Sequence, residues 1–213
     1  QGGRTLVPSV TVTGVVYPAT RILPELPEER ARLLKMSMPT MPVLPVDLFS
    51  RGSDMSANTP WEYFKHRTPD NYIHNYPEIL NLKVNAPSGI YDVVAFTNWR
   101  SEKATRKISL VDKLGLSSAT TYIAFDFWKQ QFTGIFRDSL ELIVEAHDTR
   151  VLQLHPLTGR PQLIGNSRHI TGAFSIPSLQ WNNTENTLMG LSETIPGDTY
   201  DLFIYLHDGI TIA

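Results

Sequence analysis

An all-β fold, a two-sheet antiparallel β-sandwich preceded by a short strand-helix piece and a proline-rich connector, is predicted by three features of this 213-residue chain. From Ile79 onward, short apolar runs recur, closed by turn clusters such as Pro87-Ser88-Gly89, Asn182-Asn183 and Pro196-Gly197-Asp198. That rhythm suits packed antiparallel sheets. Leu140, Leu142, Val144 and Ala146 alternate with Glu141, Ile143 and Glu145, the period of two that makes one face of a strand apolar and the other polar. Helical periodicity is confined to the N-terminal part, so βαβ units are not expected.

In chain order, the β-branched stretch Val7 to Val16 predicts a strand ending near Gly14. Pro27 is tolerated in a first helical turn, Glu28 and Glu29 suit the positive end of the helix dipole, and Ala31, Leu33 and Leu34 form an apolar stripe. A helix is therefore expected from there to Met36, stopping before Pro39. Pro39, Pro42, Pro45 and Pro60 make the stretch that follows an extended connector. The expected division is 1–37, 38–78 and 79–213. Trp61 to Pro77 reads as irregular and aromatic-rich.

The sheet region begins with Ile79 to Val84 and Tyr91 to Trp99, paired as a hairpin. Lys107 to Val111 follows, and Asp112 to Leu116 reads as a corner. Further strands are expected near Tyr122 to Trp128, Thr133 to Phe136, Leu140 to Ala146 and Arg150 to His155. The polar break His147-Asp148-Thr149 reads as a tight turn that makes the last two hairpin partners. Pro161 to Ile164, Phe174 to Trp181, Leu188 to Thr194, Asp201 to His207 and Ile210 to Ile212 complete the set.

Composition excludes several classes of function. Hydrophobic residues at 41% and charged residues at 19% are those of an ordinary globular protein, and a formal net charge of -2 gives no reason to expect nucleic acid or an anionic membrane as partner. No apolar run reaches membrane-spanning length. Cysteine is absent, which removes disulfides, thiolate metal sites and a cysteine nucleophile. The opening Gln1-Gly2-Gly3, without methionine, reads as a processed or cut chain.

Glycoside hydrolysis needs two carboxyl groups facing one sugar bond. Asp126, set among Phe125, Phe127 and Trp128, and the pair Glu141 and Glu145 are the available candidates. A strand-end aspartate bonded to backbone N–H groups and a solvated strand face explain them more simply, so no catalytic residue is assigned. The histidines, at 66, 74, 147, 155, 169 and 207, form no HxxxH or HExxH pattern, so no metal site and no cofactor is expected. No GxSxG elbow, P-loop or GxGxxG occurs. Trp61, Tyr63, Tyr72, His74 and Tyr76 remain as candidates for contact with a carbohydrate, through rings that stack on the apolar faces of sugars. Burial of the same rings against a domain surface is the competing reading. Asn182-Asn183-Thr184 matches a glycosylation sequon, a triplet too short to be specific.

The strings FTNWR (Phe96 to Arg100), DFW (Asp126 to Trp128), HDTRVLQLHP (His147 to Pro156) and GRPQLIGNSRHITGA (Gly159 to Ala173) resemble the C-terminal β-sandwich of melibiase-type α-galactosidases, clan D glycoside hydrolases of the family 27 and 36 type. VTVTG followed by LPEERARLL resembles the last strand and helix of the catalytic barrel in that family. The resemblance implies that residues 1–37 are the end of that barrel and that the sandwich packs on the barrel and supports it. The family's two catalytic aspartates lie on earlier barrel strands, which implies a chain inactive alone. An exported location suits the family. Without its barrel neighbours the strand-helix piece would expose a strand edge and an apolar stripe, inviting self-association. A free-standing carbohydrate-binding module, using Trp61 to Tyr76, is the alternative from a different class.

Overall fold

A computed structural model of the chain describes residues 27–41 and 78–207. The strand expected at Val7 to Val16, most of the connector, the aromatic stretch Trp61 to Pro77 and the run Ile210 to Ile212 lie outside the described residues.

Helix α1 spans Glu28–Ser37 with Pro27 at its N-cap, where the missing N–H costs nothing. The Pro27 carbonyl accepts from the N–H groups of Arg30 (2.9 Å) and Ala31 (3.0 Å). Glu28 and Glu29 occupy the first turn and Lys35 the last, as the helix dipole favours. The helix ends at extended Met38, before the cis Met38–Pro39 bond.

Eleven strands follow among the described residues: β1 (Ile79–Ala86), β2 (Gly89–Thr97), β3 (Ala104–Ser109), β4 (Tyr122–Asp126), β5 (Gln131–Phe136), β6 (Ser139–Val144), β7 (Thr149–Pro156), β8 (Gln162–Asn166), β9 (Ser178–Asn182), β10 (Thr187–Leu191) and β11 (Leu202–Tyr205). A five-stranded antiparallel sheet, in the order β1-β2-β7-β4-β5, forms the centre. Three two-stranded ribbons, β3-β6, β8-β11 and β9-β10, complete the fold. The β1-β2 hairpin forms as predicted, turning through Pro87 and Ser88 with Gly89 at φ 131°.

The central sheet is covered on both faces, which is why β2, β4 and β7 are buried almost throughout. On the first face, Val94, Phe96, Tyr122, Ala124, Leu152 and Leu154 pack against Leu140, Leu142 and Val144 of β6 and the Leu110 to Leu116 corner. This is the main core. On the second face, Val84, Tyr91, Val93, Ala95 and Val151 meet Met36 of α1, Phe127 and Ile170. Beside them Ile123 and Phe125 pack on Ile164 of β8, with Phe203 and Tyr205 of β11 against that group. The β-sandwich is thus realised with its outer layers divided into ribbons.

One expectation is corrected. β6 and β7 are not hairpin partners: β6 pairs with β3, and β7 lies between β2 and β4 in the other layer. The His147-Asp148 turn crosses between layers. The alternation in β6 is real, with Leu140, Leu142 and Val144 buried and Glu141 and Ile143 exposed. In β7, however, Arg150, Gln153 and His155 are buried as well, so no solvated face remains for a hairpin partner to continue.

Candidate functional site

Asp126 ends β4 and is wholly buried. Its Oδ2 is bonded by Nε of Arg150, and its Oδ1 accepts the Lys129 backbone N–H at 2.9 Å. Arg150 in turn donates from Nη1 to the Ile143 carbonyl at 3.1 Å, joining the central sheet to β6. A wholly buried carboxylate held this way by a guanidinium and a backbone donor has no access to a substrate oxygen. Asp126 is a structural residue. Glu141 stands opposite Lys107 in the β3-β6 register, and Glu145 pairs with Lys103 at 2.9 Å, both on the solvated side. The three carboxylates therefore do not converge on a reaction centre.

Trp61, Tyr63, Tyr72, His74 and Tyr76, together with His66, lie outside the described residues. Among the described residues no group of three His, Asp or Glu side chains is placed to hold a metal ion.

What sequence reasoning missed is a buried polar cluster on the second face. Tyr91 of β2 donates its hydroxyl to the Thr171 carbonyl at 2.7 Å, and the His155 ring stacks on the Tyr91 ring with centroids 4.1 Å apart. Gln153 donates to the Ile170 carbonyl at 3.2 Å. Asn166 folds the following turn beneath it: its Oδ1 accepts the N–H groups of Arg168 and His169, each at 3.0 Å, and its Nδ2 donates to the Gly172 carbonyl at 3.3 Å. Gly172, at φ 71°, is needed where a Cβ would meet the Gln153 amide at 2.6 Å. Burial moves these groups' proton equilibria. Desolvation raises the Tyr91 hydroxyl well above its ordinary value; it lowers His155 to about 3 and His169 to about 4, each against an opposing hydrogen bond to backbone. The sequence signal was the placing of Gln153 and His155 two apart in β7, on the same face as Val151.

A shallow cleft of about 190 Å³ opens at the edge of this cluster, between the β1-β2 turn, the loop after β7 and the β9-β10 ribbon. Leu179, Trp181 and Leu188 give it an apolar side. On its polar side Gln162 is already committed: it accepts from the Thr158 N–H and hydroxyl at 2.9 Å each and donates to the Pro156 carbonyl at 3.0 Å. The unpartnered nitrogen at its wall, His155 Nε2, is sealed from solvent. Ligand sites usually offer a larger hollow and a few convergent free polar groups. This cleft offers neither, and no acid–base pair.

Residues 86–154 match the family model of the alpha galactosidase C-terminal beta sandwich domain. The match, about a third of the chain, contains FTNWR, DFW and most of HDTRVLQLHP. A melibiase-type C-terminal β-sandwich is thus what this region resembles, as its strings imply. The comparison with curated proteins found no match. Among solved structures, the chain resembles α-galactosidase I of Mortierella vinacea, at 23% identity and a TM-score of 0.32 over 37% of this chain and 21% of that one. It also resembles a family 27 β-L-arabinopyranosidase of Geobacillus stearothermophilus, at 18% identity and 0.33 over 50% and 26%. An isomalto-dextranase of Arthrobacter globiformis is a third, at 18% and 0.32 over 40% and 14%. The matched stretches span about a quarter or less of these relatives' lengths.

Proposed function

We propose that the chain is the C-terminal region of an α-galactosidase-like glycoside hydrolase, and that its β-sandwich is non-catalytic and packs on the catalytic barrel, stabilising it. In this reading residues 1–37 close the barrel, 38–78 connect, and 79–213 form the sandwich. The observation that carries it is the match of residues 86–154 to the α-galactosidase C-terminal sandwich domain. The state of Asp126 supports it. The carboxylate best placed among aromatics to serve as an acid is instead locked into a buried ion pair that ties the two layers together. A domain whose interior polar groups are spent on its own architecture suits a supporting role.

The test compares hydrolysis of p-nitrophenyl α-galactoside by this purified chain with hydrolysis by the same chain extended through the coding segment upstream. Activity in the extended protein alone is the expected result. Turnover by the 213 residues alone would overturn the reading.

A further inference from the structure

We propose that the end of helix α1 is fastened to the sandwich by a proton-operated latch, in which neutral His169 holds the segment Met36 to Pro39 and a proton on its ring releases it. The inference concerns only described residues and stands whether or not the chain belongs to a glycoside hydrolase.

The latch is a chain of donors with one possible direction. The Thr171 backbone N–H points at Nδ1 of His169 at 3.2 Å, and a backbone N–H can only donate, so Nδ1 carries no hydrogen. The Thr171 hydroxyl, 2.8 Å from the same nitrogen, must then donate to it, and is free to accept the Ala173 N–H at 3.3 Å. The ring hydrogen is therefore on Nε2, from which it is donated to the Pro39 carbonyl at 3.0 Å. Geometry alone thus assigns a neutral ring with its proton on Nε2. A second proton would have to enter at Nδ1, where the Thr171 hydroxyl must turn round to accept it and the Thr171 N–H loses its acceptor.

The same turn makes the next attachment. The Ile170 N–H donates to the Met36 carbonyl at 2.8 Å, and Ile170 and Met36 share the second-face core. His169 is 2% exposed and its ring is closed on one side by the Phe174 ring, edge-on at 4.6 Å, so a charge there has no water to meet. Among the described residues no carboxylate is bonded to it. Arg168, its neighbour in the chain, is turned away to Asp198 at 2.7 Å and to the Tyr200 ring. From the sheet come neutral Tyr91, through the Thr171 carbonyl, and His155 stacked on Tyr91. The charged side chains of α1, Glu28, Glu29, Arg30, Arg32 and Lys35, lie on its exposed side. Among the described residues only backbone carbonyls, that of Pro39 foremost, face a positive ring. That bond outlasts protonation, and the cost of the proton is the burial of its charge, relieved when the Met36 to Pro39 segment lifts and water reaches the imidazole. Burial's downward pull on His169 agrees with this.

Hydrogen exchange of the full chain across pH tests the latch. A released imidazole titrates near 6.5, so protection of the α1 amides is expected to fall about tenfold per pH unit below that value. His169→Gln keeps a donor for Pro39 and cannot titrate. In it the slope at α1 should vanish while any slope at β2 and β7 persists. The proposal is overturned if α1 exchanges only together with β2 and β7, or if the variant keeps the wild-type slope. Should the variant not fold, nitrogen-15 shifts of the His169 ring in the wild type decide. A proton on Nε2 alone at pH 6 is expected, and a doubly protonated ring with α1 still protected sinks the idea.

Discussion

At the scale of single residues the molecule depends on partners that cannot be removed singly. Asp126 is fully buried and Arg150 nearly so; taking away the guanidinium leaves a desolvated carboxylate with only the Lys129 N–H for compensation. Arg150→Ala should therefore lose about 3–5 kcal/mol in urea unfolding, whereas the double replacement Asp126→Leu, Arg150→Met should recover most of that loss. If the single variant unfolds like the wild type, the pair is not what joins the layers. Gly165 of β8 is a second such position. A Cβ built there would meet Cδ1 of Phe125 at 2.3 Å, so the Phe125 ring lies flat on the β8 backbone. Gly165→Ala should cost about 1–3 kcal/mol by overpacking. Phe125→Leu in the same background should return part of it, read as a shift in urea midpoint at constant slope.

At the scale of elements, the value of a residue follows the face it occupies. Leu142 sits in the centre of the first-face core, while Lys103 and Glu145 form an ion pair more than half exposed to solvent. Leu142→Ala should cost about 2–5 kcal/mol and Lys103→Ala less than about 1 kcal/mol, the second difference fading in salt. Equal effects in thermal unfolding would mean that β6 does not cover the sheet as described. β6 was legible because its alternation is unbroken and its polar side is wet. β7 was legible as a strand, but its pairing was not, because polar residues on both of its faces are turned into the fold: Arg150 onto Asp126, Gln153 onto the Ile170 carbonyl. A period-two pattern reports which side meets water, and β7 has no such side. For the same reason the turn before β7 looked like a hairpin and is a crossing between layers. The buried cluster of Tyr91, His155 and His169 was illegible in kind, since its members come from β2, β7 and the turn after β8, and only the tertiary fold brings them together.

At the scale of the whole molecule, the two buried histidines set how the protein responds to acid. His155 and His169 are held neutral in the folded state by burial, at about 3 and about 4, against an ordinary value near 6.5 in the unfolded chain. Below that ordinary value the unfolded chain binds protons that the folded chain refuses, so stability must rise with pH across the window. It is fully present above about 6.5 and declines as pH falls, by ~1.4 kcal/mol per unit for each histidine, until the folded rings themselves take protons. Urea unfolding between pH 7.5 and 4.5 should show the midpoint moving down steadily below 6.5. His155→Gln should remove about half the slope, and His169→Gln the other half. A midpoint flat to pH 5 would mean that the rings are not sealed from water in the folded protein. Because His155 lies in the sheet and His169 in the turn that clasps α1, the two halves should differ in what they release. Loss of the first weakens the sandwich as a unit. Loss of the second begins at the helix.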